Sequence, residues 1–301
     1  MKILITGGTG FIGSALTRSL TEQGCEVTVL SRNPDTVGKI CGSGIKALNN
    51  LNQLDPEDSY QVIINLAGAP IFDARWSDAR KQLIRDSRIS LTKQLVACMA
   101  RMMVKPELLI SGSAIGYYGN QGDTVLTEQS ATHNDFSGQL CADWENEAKN
   151  AEQFGVRVCL IRTGLVLAEG GGLLQRMLLP FRLGLGGRLG DGQQWMSWIH
   201  RQDWIAIAQT MIADSSMQGA YNATAPNPVT NSEFTRTLAH CLKRPALFPV
   251  PAWLLKILLG EMSGLVLGSQ RVIPERLLAK GFRFQYLELS SALNQVLSPH
   301  E

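Results

Sequence analysis

Short apolar runs alternate with longer polar-and-apolar stretches through the first half of the chain. Lys2 to Thr6, Glu26 to Leu30, Tyr60 to Leu66, Glu107 to Ser111 and Val156 to Ile161 read as strands, apolar enough to be covered on both faces. Between them Ser14 to Glu22, Ser77 to Met102 and Phe136 to Gln153 read as helices. This alternation predicts an α/β fold, a doubly wound parallel sheet of the Rossmann kind over residues 1–165. The pattern then changes, with nine of the 29 glycines falling between Gly164 and Gly192, interleaved with Arg176, Arg182 and Arg188. That stretch is either an exposed loop or a cover over a substrate, its arginines meeting an anionic group. Further on, Asp203 to Ala213 and Ser232 to Leu242 read as helices and Ala220 to Ala223 as a strand. Ala252 to Gly268 is short for a membrane span and carries Lys256 and Glu261, so it is expected to be a packed amphipathic helix. Residues 166–301 should therefore complete the sheet and add a smaller, mostly helical lobe.

Composition narrows the function classes more than the fold. The 301 residues suit one large domain with an appendage, and 45% hydrophobic against 18% charged residues is ordinary for a globular protein. A net charge of +2 argues against a nucleic-acid surface, and no segment argues for a membrane. The six cysteines form no C-x-x-C pair and have no histidine at ligand spacing, so no metal site is expected. With no secretory signal evident, a reducing cytoplasm with free thiols is the expected setting. His133, His200, His240 and His300 show no nucleophile arrangement, which counts against a hydrolase.

The most specific chemistry lies in Thr6-Gly7-Gly8-Thr9-Gly10-Phe11-Ile12-Gly13, which joins the first strand to the first helix. Gly7, Gly10 and Gly13 permit a tight turn and close backbone approach, and the helix start attracts a pyrophosphate, so a dinucleotide is expected there. At the end of the second strand, where an acid would meet a ribose hydroxyl, the chain reads Leu30-Ser31-Arg32-Asn33. A forked cation and a hydroxyl suit a 2′-phosphate, so NADP(H) is expected over NAD(H).

Together with Asn65-Leu66-Ala67-Gly68, Ser111-Gly112-Ser113, Tyr117-Tyr118-Gly119, Trp198 to Asp203 and Tyr221-Asn222-Ala223, the glycine motif resembles the extended short-chain dehydrogenase/reductases, the superfamily of the NAD(P)-dependent epimerases. Within it the chain is most similar to the atypical YfcH-type epimerase family proteins, through Cys141 to Glu145, Pro274-Glu275-Arg276 and the C-terminal lobe. The resemblance implies cofactor contacts at Gly7, Gly10, Phe11, Ile12, Gly13, Ser31, Arg32, Leu66, Ala67, Gly68, Arg88 and Val166. Arg162 to Val166 would either close over the nicotinamide end or, at Thr163 and Gly164, form an ordinary turn. It implies catalytic roles for Ser113, which would orient a carbonyl, and for Tyr117, the best remaining phenol.

The family's Tyr-x-x-x-Lys pair is missing. Cys141 stands where the lysine is expected, and Ser137, or with a one-residue slip Phe136, stands where the tyrosine is expected. Arg88 replaces an asparagine that helps hold a proton-relay water; it would contact cofactor or substrate, or form an ion pair with an acid such as Asp86 or Glu107. Two functions follow from this mixture. One is an NADP(H)-dependent oxidoreductase or epimerase acting on a small-molecule substrate, with Ser113 orienting oxygen and Tyr117 or a water near Arg88 moving the proton. The other is a catalytically inactive NADPH-sensing or partner-binding module. A homodimer is an assembly open to either.

Overall fold

The computed structural model describes residues 1–298; His300 and the end of the 166–301 segment lie outside the described residues. Seven strands form one wholly parallel sheet: β1 Lys2–Thr6, β2 Glu26–Leu30, β3 Lys46–Leu48, β4 Val62–Asn65, β5 Leu108–Ala114, β6 Arg157–Thr163 and β7 Gly219–Ala223. Their order is β7-β6-β5-β4-β1-β2-β3, so the chain winds outward in both directions from the β1–β4 pair. Loops leaving the carboxyl ends of those two strands part to opposite faces and open a crevice between them.

Strand periodicity sorts the core into two layers. Ile3, Ile5, Val29, Ile64, Ile110 and Ile161 pack beneath Leu16 and Leu20 of the helix Gly13–Glu22 and beneath Trp204 and Ile207 of the helix Arg201–Ala213. Leu4, Ile63, Leu109 and Leu160, one position out of step, pack against Leu95 and Met99 of the helix Ile89–Arg101 and against Ala148. Both faces are covered, which is why these strands read as continuous apolar runs. A third core holds the C-terminal lobe, where Leu174, Met177, Phe181, Trp198, Phe234 and Leu293 meet.

Four elements differ from the sequence reading. Ser77 to Met102 is two helices, Asp78–Asp86 and Ile89–Arg101. They break at Ser87, whose hydroxyl donates to the Ile84 carbonyl and accepts from the Ala69 amide at 2.9 Å each. The Gly164 to Gly192 stretch is no simple loop, because it contains a strand Leu165–Leu167 and a helix Gly172–Arg182 whose Leu174, Met177, Leu178 and Phe181 are buried. Ala252 to Gly268 is three short helical segments, Ala252–Leu259, Gly260–Ser263 and Gly264–Leu267, broken where Gly260 takes a φ of +60°. The edge strand β3 was not foreseen; three residues are too few to show a period.

Candidate active site

The glycine turn is held from below by the end of β4. Thr6 Oγ1 donates to Asn65 Oδ1 at 2.7 Å and accepts from the Ala67 amide at 3.3 Å, tying the carboxyl ends of β1 and β4 together. Asn65 in turn donates to Thr92 Oγ1 at 2.8 Å. Gly7 has a φ of +71°, and a Cβ there would lie 2.7 Å from the Ala67 nitrogen; a Cβ on Gly13 would lie 2.1 Å from the Gly7 oxygen. No side chain could be added at either position without opening the turn, so the backbone stays bare for a phosphate to approach. The helix that follows begins without a side-chain cap, so its first amides and positive dipole end are left to a ligand. These features fit a dinucleotide.

The remaining expected cofactor residues fall into distinct settings. Arg32 is exposed just past β2 and forms no ion pair among the described residues, and Ser31 Oγ accepts from the Asn33 amide at 3.2 Å. Gly10 is exposed, while Leu66 and Ala67 are half-buried at the end of β4. Phe11 packs against Gly171, where a Cβ would meet its ring at 2.4 Å, and lies 5.3 Å from the Arg201 guanidinium. Ile12 and Val166 pack into the core. Arg88 lies across Gly68, its Cζ 2.8 Å from where a Cβ would stand, and donates to the Ala69 and Ile84 carbonyls at 3.1 and 3.2 Å. It makes no ion pair with Asp86 or Glu107; burial pushes its pKa below the ordinary guanidinium value.

Two to four strands along from the glycine turn lies a cluster of buried polar groups. Ser113 on β5, Arg162 on β6 and Asn222 on β7 are register partners in adjacent strands and so form one rung across the sheet. Helix Phe136–Lys149 lowers Glu145 onto it. Arg162 donates through Nε to Glu145 Oε1 at 2.7 Å and through Nη2 to Oε2 at 2.9 Å, and Ser113 Oγ donates to Oε1 at 2.7 Å. Arg162 Nη1 also donates to Tyr118 Oη at 2.9 Å, and Tyr118 Oη donates in turn to Asn222 Oδ1 at 2.6 Å. The Tyr117 ring lies 3.5 Å from the Arg162 guanidinium, a cation–π contact in a desolvated setting. Burial drives the Tyr118 phenol up to about 12, despite the lowering effect of Arg162 and Asn222.

Glu145, Arg162, Tyr118 and Asn222 are functional candidates that were not assigned these roles from sequence. A signal existed: Arg162 and Asn222 interrupt otherwise apolar strands at the same depth as Ser113. Arg162 is buried and held by Glu145 and Tyr118. Cys141, in the lysine position, is buried, and burial pushes its thiol up to about 11. Ser137, in the tyrosine position, lines a cavity of about 860 Å³ with Gly116, Phe136, Gln194, Lys256 and Leu265, between the sheet end and the C-terminal lobe.

Comparison with known proteins agrees with this geometry. Residues 3–223 match the NAD dependent epimerase/dehydratase family, and residues 250–296 match a domain of unknown function, DUF1731. The epimerase family protein YfhF of Bacillus subtilis is 39% identical over 300 residues, covering 99% of this chain and 98% of its own. A crystal structure of the human epimerase family protein SDR39U1 (isoform 2) with NADPH superimposes with a TM-score of 0.89 at 33% identity, over 98% of this chain and 99% of that one. UDP-glucuronic acid 4-epimerase from Bacillus cereus, in complex with NAD, shares the fold at a TM-score of 0.78 and 16% identity, over 98% and 95% of the two chains. Among the described residues no helix is long and apolar enough to cross a membrane.

Proposed function

This chain belongs to the NAD dependent epimerase/dehydratase family, and we propose that it is an NADP(H)-dependent oxidoreductase or epimerase whose proton moves through Ser113 and Glu145. One observation carries the reading: the Ser113 hydroxyl donates to a buried carboxylate that Arg162 holds by both oxygens. With its hydrogen committed to Glu145, Ser113 Oγ presents lone pairs and can accept from a substrate hydroxyl.

Nicotinamide, when bound, supplies the hydride acceptor or donor. In the oxidising direction the substrate O–H bond breaks as its C–H bond gives up hydride. That proton passes to Ser113 Oγ while the serine's own proton passes to Glu145 Oε1, leaving a carbonyl. Arg162 keeps the Glu145 oxygens aimed at Ser113, and Tyr117 covers the guanidinium. General acid–base help of this kind is worth about 10² to 10⁴ in rate. Arg32, beyond β2 and without a carboxylate partner, would receive the 2′-phosphate, with Ser31 beside it; the NADPH in the human relative's structure supports the phosphorylated form. The substrate is a small or nucleotide-linked alcohol or carbonyl compound; the 860 Å³ cavity, lined by Gly116 and Ser137 and not by Ser113 or Glu145 themselves, is of the size such ligands occupy.

The test is NADPH oxidation against a panel of aldehydes, ketones and nucleotide-sugar carbonyls, with Ser113→Ala and Glu145→Gln as variants corrected for folded fraction. Turnover should fall at least about 100-fold in both, with NADPH affinity retained. Turnover unchanged in Glu145→Gln, or no hydride transfer by the wild type, would remove the proposal. A second reading, an NADPH-sensing module without turnover, draws on Cys141: a buried, neutral thiol occupies the place of the family lysine. An NADPH-dependent change of oligomeric state, with the nicotinamide left inert, would favour it.

A further inference from the structure

The outer face of the C-terminal lobe carries a second concavity of about 630 Å³, separate from the cleft described above. One wall is a helical stripe. Ser232, Thr235, Arg236, Ala239 and His240 follow one another at spacings of three, one, three and one along the helix Asn231–Leu242, so they share a face. The opposite wall is irregular chain, which contributes Arg188 from one side and Arg244 from the other. Three arginines and a histidine thus converge from three segments, and no carboxylate lines the space.

The usual neutralisation of such a group is missing. None of Arg188, Arg236 and Arg244 forms an ion pair among the described residues. Arg244 spends only its Nε, on the Arg182 carbonyl at 3.0 Å. The acids closest in sequence accept hydrogen bonds elsewhere: Glu233 from the Thr230 amide at the start of its own helix, and Asp191 from the Gln193 amide at 3.0 Å. On the wall of the groove Thr235, 5% exposed, keeps a hydroxyl with no hydrogen-bond partner among the described residues. Over the whole chain 28 lysines and arginines face 26 acidic side chains, so three arginines without an acid is a local arrangement that the average composition does not supply. Self-repulsion among like charges is costly unless an anion joins them.

We propose that this groove is a binding site for a soluble, multiply phosphorylated small molecule, distinct from the dinucleotide cradle. Arginine forks match phosphate oxygens two at a time, and a volume of this size holds a small-molecule ligand. The same loop serves both concavities: Arg188 lines the groove, while Gly190, Asp191 and Gln194 line the substrate cavity. An occupant that draws in Arg188 therefore pulls on the wall of the substrate cavity.

The experiment titrates inorganic pyrophosphate into the full-length protein by calorimetry, with NADP⁺ saturating so that pyrophosphate does not report on the cradle, while the ring protons of His240 are followed by NMR. Expected is a single binding event that shifts the His240 resonances, weakened at least about tenfold in Arg188→Ala/Arg236→Ala and unchanged in Arg32→Ala. Both arginines are exposed, so the double variant should melt with the wild type. Heat that survives the double variant, or that disappears in Arg32→Ala, overturns the proposal, as does the absence of any heat. A parallel arm with phosphatidic acid vesicles separates the sources of phosphate: capture by vesicles without binding of soluble pyrophosphate also overturns it.

Discussion

Removing one member of the Glu145–Arg162 pair should cost far more than removing both. The two side chains are 2% and 5% exposed, and they meet through two hydrogen bonds of 2.7 and 2.9 Å. Glu145→Leu leaves the Arg162 charge buried without a counter-charge, and Arg162→Met leaves the carboxylate so; either loss is worth about 3 to 5 kcal/mol. For a chain of this length that is a fall in melting temperature of roughly 5 to 10 °C. In Glu145→Leu/Arg162→Met no charge remains to be paired, and buried pairs replaced by apolar side chains are typically neutral or stabilising by up to about 4 kcal/mol. Ser113 and Tyr118 would each lose a partner, which offsets about 1 to 3 kcal/mol apiece. The double variant should therefore melt above either single one, with a coupling energy of about 3 kcal/mol. Thermal unfolding followed by circular dichroism measures all four proteins. Single variants that add to give the double within about 0.5 kcal/mol would refute the reasoning. A folded double variant is also the informative enzyme, because it should bind NADPH and fail to turn over.

Three further outcomes are expected. Gly13→Ala places a methyl 2.1 Å from the Gly7 oxygen, so NADPH affinity measured by fluorescence should fall at least about tenfold, roughly 1.4 kcal/mol; wild-type affinity would show that the turn is not the cradle. Arg32→Ala should reduce the preference for NADPH over NADH by about tenfold or more, and an unchanged ratio of the two affinities counts against the 2′-phosphate assignment. Tyr118, buried and pushed from 10.0 up to about 12, has a folded pKa above its unfolded one; its contribution to stability is complete below pH 10 and is lost as pH rises from 10 to about 12. Burial also raises Tyr60 and Tyr286, so ultraviolet titration should show a late-ionising phase that loses one tyrosine's amplitude in Tyr118→Phe, and a phase unchanged in that variant would contradict the burial argument.

The first half of the fold was readable because its determinants are local. β1 and β2 have the bounds that their apolar runs suggested, and Gly7 and Gly13 sit where only a missing Cβ permits the backbone to pass. What escaped the sequence reading depended on distance. The break at Ser87 is fixed by its bond to Ala69, eighteen residues away, and the helix Gly172–Arg182 forms because Phe234 and Leu293 wait to cover it. The same holds in the site. Ser113 stood out through its resemblance to a family serine, whereas Arg162, Asn222 and Glu145 acquire meaning only when the register of three strands and the packing of one helix set them side by side.

That register also changes how the missing tyrosine and lysine should be understood. In the family pattern both the phenol and the cation that lowers its pKa stand on one helix. Here the helix supplies the anion, Glu145, and the cation comes from the sheet as Arg162, locked to that anion by two bonds. Arg162, shared with Glu145, lowers the Tyr118 phenol only in part, and burial outweighs it and drives that phenol up to about 12. Cys141, where the lysine would be, carries no positive charge in any protonation state. A phenol in such surroundings gives up its proton poorly at neutral pH, while a carboxylate already accepting from Ser113 is placed to take one. The exchange of charge between helix and sheet therefore fits the proposed route of the proton through the Ser113–Glu145 pair in place of a tyrosine.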